Sequence, residues 1–516
     1  MNIRCAPILL ATALYGQVQD PATSCANLAS LKLPDTLITR AQLAPAGQFA
    51  ATPMGVLAPG APSFKPFSLL PVFCHVTATL KPSADSEIKI ELWMPAAGWN
   101  GRFQALGNGG WAGTIALNTL AAAVARGYAV AATDTGHVAN PVNGAGAAFA
   151  FHHPEKVIDF GYRAVHLMTV QSKALIQAFY GKAPAKSYWV GCSTGGRQGL
   201  MEAQRYPADY DGIIAGAPAN YMTHLLAHGI WVAQATLKES ASYIPRSKYA
   251  VIHQAVLDAC DSLDGVKDGV LDDPRACRFD PKTIQCSGED SLTCLTAAQV
   301  AAARKIYAPA TNPRTGREIF PGLEPGSEMG WTGLAGGPDP FSTATDYFKY
   351  IVFENPSWDY KTLDFDKDVA RADTMDRGTL NAVDPNLKGF VDRGGKLLLY
   401  HGWNDQLIAP ENSVNYYLSV VKALGGADKV NDAVRLFMAP GMTHCAGGDG
   451  PSSFDCVTAL ERWVEQKQPP DRILASHVAS GKVDRTRPLC PYPQVALYRG
   501  SGDQNDAASF VCKNPR

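Results

Sequence analysis

The stretch Tyr188-Trp189-Val190-Gly191-Cys192-Ser193-Thr194-Gly195-Gly196-Arg197-Gln198-Gly199 constrains this chain more than any other. Residues 188–190 are apolar and read as a short buried strand, and residues 197–205 are helix-compatible. Between them lies a G-x-S-x-G pattern, Gly191 to Gly195. Strand, sharp turn and helix form the context in which that pattern becomes a nucleophile elbow. Gly191 and Gly195 remove Cβ atoms where strand and helix nearly touch. The turn lifts the Ser193 hydroxyl out of the backbone. It also leaves the Thr194 N–H at a helix N-terminus, facing the place where an oxyanion would form. The pattern alone is common, and its bland reading is a glycine-rich turn with an incidental serine; the flanking strand and helix favour the nucleophile.

Strands and helices alternate around this elbow. Residues 87–94 alternate polar and apolar side chains and read as an antiparallel edge-type strand. After a turn at Trp99-Asn100-Gly101, residues 102–106 form the next strand, followed at once by Gly107-Asn108-Gly109-Gly110. Residues 117–126 and 162–179 read as helices, and residues 128–133 and 212–215 as buried strands. Such alternation implies a mainly parallel sheet with helices on both faces. It breaks at residue 220, where the sequence turns irregular and rich in cysteine, proline and aromatics. It resumes with a strand at 396–401, a helix at 413–424, a strand at 434–438 and a helix at 458–465. The expected fold class is therefore α/β, an α/β-hydrolase fold with a large inserted lid domain. Residues 20–219 and 394–516 make the catalytic domain, and residues 220–393 the lid, since a loop-rich insertion of that length is usually functional.

A serine nucleophile needs a general base, and the base needs an orienting acid. In this fold they follow in the order serine, acid, histidine. Asp405 lies in His401-Gly402-Trp403-Asn404-Asp405 and His444 in Pro440-Gly441-Met442-Thr443-His444-Cys445, each in a loop leaving a late core strand. Both loops belong at the carboxyl edge of the sheet, with Ser193. His401 is a rival base, but it precedes Asp405; it and Trp403 are expected to line the substrate pocket. The loop after the third strand of the fold supplies the second half of the oxyanion hole, which Gly109 or Gly110 is placed to give beside Thr194.

The elbow, the His401–Asp405 segment and the Pro440–Cys445 segment together resemble the tannase and feruloyl esterase family, over roughly residues 75–512. The resemblance implies a disulfide between the cysteine before the nucleophile and the one after the catalytic histidine, here Cys192 and Cys445. It is also physically plausible, because side chains that must meet bring their backbone neighbours close. The resemblance further implies pairs Cys260–Cys277, Cys286–Cys294, Cys25–Cys74 and Cys490–Cys512. Cys5 and Cys456 are left without partners.

Residues 260–270, Cys-Asp-Ser-Leu-Asp-Gly-Val-Lys-Asp-Gly-Val, crowd carboxylates around two turn glycines. Hard oxygen donors in that density suit Ca²⁺, although the spacing is not an EF-hand; the alternative is a solvated acidic turn. The family resemblance implies a structural calcium in the lid, held by Asp261, Asp264 and Asp268 through side chains and by Val266 and Val270 through carbonyls.

Net charge is −1 over 516 residues, and no basic block stands out, which argues against nucleic acid or an anionic membrane as partner. Twelve cysteines without a C-x-x-C pair point to disulfides and a secreted or periplasmic location. Within residues 1–19, Arg4, the apolar run 6–14 and Ala11-Thr12-Ala13 resemble a signal peptide. The implied function is a serine esterase acting on small aromatic esters of the feruloyl or hydroxycinnamoyl type. Trp331, Phe341, Tyr347, Phe348 and Trp358 are candidates to sandwich the ring or to form lid core. Galloyl esters are an alternative substrate. A terephthalate monoester is a weaker one: that branch uses a lid arginine, and Arg314, Arg317, Arg371 and Arg377 match no motif for it, while Thr194 stands where its elbow carries an acid. An acyltransferase and a non-catalytic binding protein of the same fold are the remaining readings.

Overall fold

The computed structural model of this protein describes residues 20–49, 67–139, 146–334 and 337–515. The expected leader, with Cys5, lies outside them. Nine strands form the central sheet: β1 (Thr36–Ala44), β2 (Phe73–Leu80), β3 (Ile88–Pro95), β4 (Arg102–Leu106), β5 (Ala129–Thr133), β6 (Lys186–Cys192), β7 (Gly212–Gly216), β8 (Lys396–Gly402) and β9 (Val434–Ala439). Their order is β1-β2-β3-β5-β4-β6-β7-β8-β9. Neighbours from β1 to β5 run antiparallel, and every pair from β5 to β9 is parallel. The β3 segment was expected at an edge. It is instead paired on both sides, to β2 and β5, and β1 from the N-terminal extension takes the edge.

The parallel strands read as unbroken apolar runs because both faces are covered. In β8, Leu397 and Leu399 join one core while Leu398 joins the other; in β6, Trp189 and Tyr188 divide the same way. Helices Ala164–Tyr180, Thr194–Arg205 and Glu411–Ala423 cover the first face, with Met168, Leu200 and Val420 buried against it. Helices Leu117–Ala125 and Cys456–Gln466 cover the second through Leu120, Leu460 and Trp463. Cys456 opens its helix within this second core and is the free cysteine among the described residues. Burial pushes its thiol pKa far up, so it behaves as a small apolar side chain.

No strand of the central sheet comes from the described residues of 220–393. Helices Met222–Leu237, Tyr249–Cys260, Ala297–Tyr307 and Lys367–Asp376 are the longest in that insertion, which builds an apolar core. Trp331, Tyr347 and Phe348 are fully buried in it, so these three are packing residues rather than substrate contacts. Phe341 and Trp358 are partly buried against the same core. Trp111 and Phe160, from the segments flanking the elbow, enter this core too, and the Trp111 indole donates to the Thr343 carbonyl at 3.1 Å. The insertion is thus packed onto the sheet's carboxyl edge and does not hang from it as a separate body. All five expected disulfide pairs are present: Cys25–Cys74, Cys192–Cys445, Cys260–Cys277, Cys286–Cys294 and Cys490–Cys512.

Candidate active site

Ser193 sits between β6 and the helix Thr194–Arg205 with φ +62° and ψ −123°, a conformation that costs energy for any residue with a side chain. Its backbone is held on both sides. Ser193 N–H donates to Gly216 O at 2.9 Å, and Ser193 O accepts from Arg197 N at 3.0 Å and Ala219 N at 3.1 Å. A Cβ on Gly191 would lie 2.4 Å from the Gly195 carbonyl oxygen, so the strand can meet the helix this closely only without one. A Cβ on Gly107 would lie 2.5 Å from Gly195 Cα, and the same crowding therefore locks the β4 loop against the elbow.

That loop is fastened by two side chains that sequence reasoning did not single out. Asn108 N–H donates to Gln198 Oε1 at 3.1 Å, and Gln198 Nε2 returns a bond to Asn108 Oδ1 at 3.1 Å. Asn108 Nδ2 donates to the carbonyls of Thr133 at 2.8 Å and Thr114 at 3.0 Å, and Asn108 O accepts from Gly195 N at 2.8 Å. The signal was present in the elbow itself, where Gln198 lies one helical turn beyond Thr194. Thr194 Oγ1 donates to Gly110 O at 2.6 Å, tying the two halves of the expected oxyanion hole together. No described residue accepts a hydrogen bond from the N–H of Thr194, Gly109 or Gly110, so these donors remain available. Gly109 and Gly110 are exposed.

Asp405 is fully buried, yet its carboxylate is saturated with donors. Oδ1 accepts from Leu407 N at 2.8 Å and Ile408 N at 3.0 Å. Oδ2 lies 2.7 Å from His444 Nδ1 and 3.0 Å from His401 Nε2. Burial alone would raise this carboxyl's pKa, but the His444 and His401 imidazoles outweigh it and hold it well below the ordinary carboxylate range. An ionised Asp405 can only accept, so the His444 proton sits on Nδ1 and Nε2 is left as the basic nitrogen. His401 was expected in the substrate pocket. It is instead wholly buried, with Nδ1 on Ser413 Oγ at 2.7 Å, and it supports Asp405 from behind. Trp403 is likewise 2% exposed, with the Arg275 guanidinium 4.9 Å over its ring, and it lines a small cavity beside Arg275 and Tyr492 that contains none of the triad residues.

His444 lies on a tight loop. Thr443 N–H donates to Gly447 O at 3.1 Å, Thr443 Oγ1 to Ala446 O at 2.6 Å, and Gln406 Oε1 accepts from His444 N at 3.2 Å. The following Cys445 has φ +66°, unusual for a residue with a side chain, and forms the disulfide to Cys192 with Cα atoms 6.0 Å apart. Ser193 and His444 are the residues next to that bridge in each loop. The covalent link therefore holds the two loops that carry them together across 253 residues of sequence.

In the acidic loop, Asp261 Oδ1 accepts from Asp268 N at 3.2 Å and Gly269 N at 3.0 Å, and Asp264 Oδ1 accepts from Val266 N at 2.8 Å. Asp268 is ion-paired with Arg487, and Arg485 lies 3.6 Å away. Asp264, its pKa pushed up to about 6 by burial and by Asp268 and Asp261, has no arginine partner of its own. Buried Asp272, unforeseen from the sequence, is raised further by burial and by Asp264. The arginines offset only part of this negative charge. The excess of hard oxygen donors suits a divalent cation of the calcium type.

The sheet order and the serine elbow at its carboxyl edge define an α/β-hydrolase. The chain belongs to the tannase and feruloyl esterase family, whose profile matches residues 74–513. An uncharacterized esterase of Xanthomonas campestris is 38% identical over 95% of this chain and 91% of its own length. A probable feruloyl esterase B-2 of Neosartorya fischeri is 33% identical over 98% of both chains. The crystal structure of feruloyl esterase B from Aspergillus oryzae superimposes with a TM-score of 0.88 at 30% identity, covering 96% of this chain and all of that one.

The Asp405–His444 contact yields a test. Asp405→Asn should leave the fold in place but favour the wrong His444 tautomer, lowering kcat on the order of a thousandfold or more. A kcat within tenfold of wild type in a well-folded variant would remove Asp405 from the mechanism.

Proposed function

We propose that this protein is a serine carboxylic ester hydrolase acting on esters of phenolic acids, through an acyl-enzyme. The observation that carries this reading is the 2.7 Å Asp405–His444 pair next to the bridge that ties its loop to Ser193. Ser193 Oγ attacks the ester carbonyl as His444 Nε2 takes its proton. The N–H groups of Thr194 and of Gly109 or Gly110 receive the developing oxyanion. The tetrahedral intermediate collapses, the C–O bond to the alcohol breaks, and His444 returns the proton to the leaving oxygen. Water then attacks the acyl group with His444 again as base, and Ser193 leaves with its proton restored. Asp405 stays ionised throughout and stabilises the imidazolium.

The relatives' names favour a feruloyl-type acid. A galloyl ester is the close alternative, because it needs the same chemistry. The terephthalate-monoester reading is weaker, since two of the four lid arginines are engaged elsewhere: Arg314 pairs with Asp366, and Arg371 lies over the Phe353 ring. Residues 220–393 serve as the lid that covers the acyl site, joined to it through Trp111. Five disulfides fit folding in an exported, oxidising compartment. Among the described residues no helix is long and apolar enough to cross a membrane.

Methyl ferulate, methyl gallate and mono(2-hydroxyethyl) terephthalate assayed side by side should rank ferulate first by kcat/KM. Ser193→Ala should reduce turnover on all three by several orders of magnitude with an unchanged melting curve. Turnover near wild type in that variant would contradict the mechanism, and a preference for methyl gallate would move the protein to the tannase side.

Calcium in the acidic loop would supply structural charge compensation only, held by Asp261, Asp264 and Asp268 with the carbonyls of Val266 and Val270. Removing it with EDTA should lower the melting temperature, since a ligand bound only by the folded state stabilises it. Activity well below the melting range should change much less. Calcium re-addition should restore the melt, and an unchanged curve in metal-free protein would count against the site.

A further inference from the structure

A second group of ionisable side chains lies away from Ser193 and takes no part in the chemistry above. His166 projects from the helix Ala164–Tyr180, Glu202 from the helix Thr194–Arg205, and Asp209 from the loop that leads into β7. Each offers one ligand-type atom, and these atoms all lie within 4.8 Å of one another. Glu202 is 1% exposed, and neither carboxylate oxygen has a hydrogen-bond partner among the described residues. A buried carboxylate without a donor is costly, so something must compensate its charge. In the ion-free chain burial and the Asp209 carboxylate beside it push the Glu202 pKa well up, so a proton held by this pair stands where an ion would. His166 Nδ1 lies 2.7 Å from Asp209 Oδ2, which engages the other carboxylate. Lys173 donates to the Asp209 backbone carbonyl, and burial weakens its hold on its own proton.

We propose that His166, Glu202 and Asp209 form a binding site for a divalent transition-metal ion of the Zn²⁺ type. One imidazole nitrogen and two carboxylate oxygens are the mixed donor set that zinc accepts. Three protein ligands leave a fourth position for water. The His166 side chain is 28% exposed, which gives an ion a way in, while Glu202 closes the inner end. The Tyr206 ring stacks on the His166 imidazole with centroids 3.7 Å apart, which restricts its rotation. Occupancy would pin together two helices that cover one sheet face and the loop entering β7. One of those helices begins next to the nucleophile.

The site differs in kind from the all-oxygen loop at residues 261–270, so the two can be separated by metal. Tag-free protein is stripped with chelator, dialysed against excess Ca²⁺, and then titrated with Zn²⁺ by calorimetry and elemental analysis. One equivalent of zinc per chain should bind in the presence of calcium and raise the melting temperature. Co²⁺ in its place should give visible absorption with a histidine-dependent band. His166→Ala, at a partly exposed position, and Glu202→Gln should each lose the bound equivalent and the zinc-induced rise in melting temperature. Wild-type protein that takes up no zinc would overturn the proposal. So would uptake that survives unchanged in both variants, which would place the ion elsewhere. A Glu202→Gln protein more stable than wild type, with no zinc uptake by either, would mean that a shared proton compensates the buried pair instead.

Discussion

The Cys192–Cys445 bridge is the constraint on which the rest of this structure depends. The nucleophile belongs to the middle of the sheet and the base to its far edge, and the whole 220–393 insertion lies between them in sequence. A loop of that length closed by a covalent bond removes about 5 kcal/mol of unfolded-chain entropy in the simplest treatment. Geometry is the greater consequence. Each bridged loop holds one residue on strained backbone, Ser193 next to Cys192 at φ +62° and Cys445 itself at φ +66°, and the bridge opposes relaxation of either loop away from the other.

Around that bridge the polar groups are arranged in depth. Asp405 receives four donors in a site that excludes water, and two of them are imidazoles. One imidazole, His444, reaches outward; the other, His401, is buried and anchored to Ser413. The same logic recurs on the oxyanion side. There the Asn108–Gln198 pair fixes the loop from behind and leaves the Gly109, Gly110 and Thr194 N–H groups unspent. Preorganised donors of this kind need no rearrangement when charge develops.

Much of this was legible in the sequence, for identifiable reasons. The elbow shows because close packing of strand and helix admits only glycine at certain positions, and glycine spacing survives as a pattern. The parallel strands show because burial on both faces leaves apolar runs such as Leu397-Leu398-Leu399. What was missed depended on the third dimension. The β3 segment has the alternation of an edge strand, and nothing local says that β1 will pair beyond β2. His401 and Trp403 lie near Asp405 in sequence, but whether a side chain faces a pocket or the core is decided by helix Glu411–Ala423 and by Arg275, which come from elsewhere in the chain. For Trp331, Tyr347 and Phe348 the sequence left substrate contact and lid core both open, and they are lid core because an insertion of this size must bury aromatics to hold itself together.

The most direct test of the central role given to the bridge is a burst experiment on the Cys192→Ser, Cys445→Ser double variant. It is run well below that variant's own melting temperature, with the disulfide state of wild type verified by mass spectrometry of a non-reduced digest. Loss of the clamp should slow the acylation burst about a hundredfold while the folded population stays full, since small misplacements of reacting groups cost that much. A burst as fast as wild type in the double variant, or free thiols at Cys192 and Cys445 in active enzyme, would contradict the account.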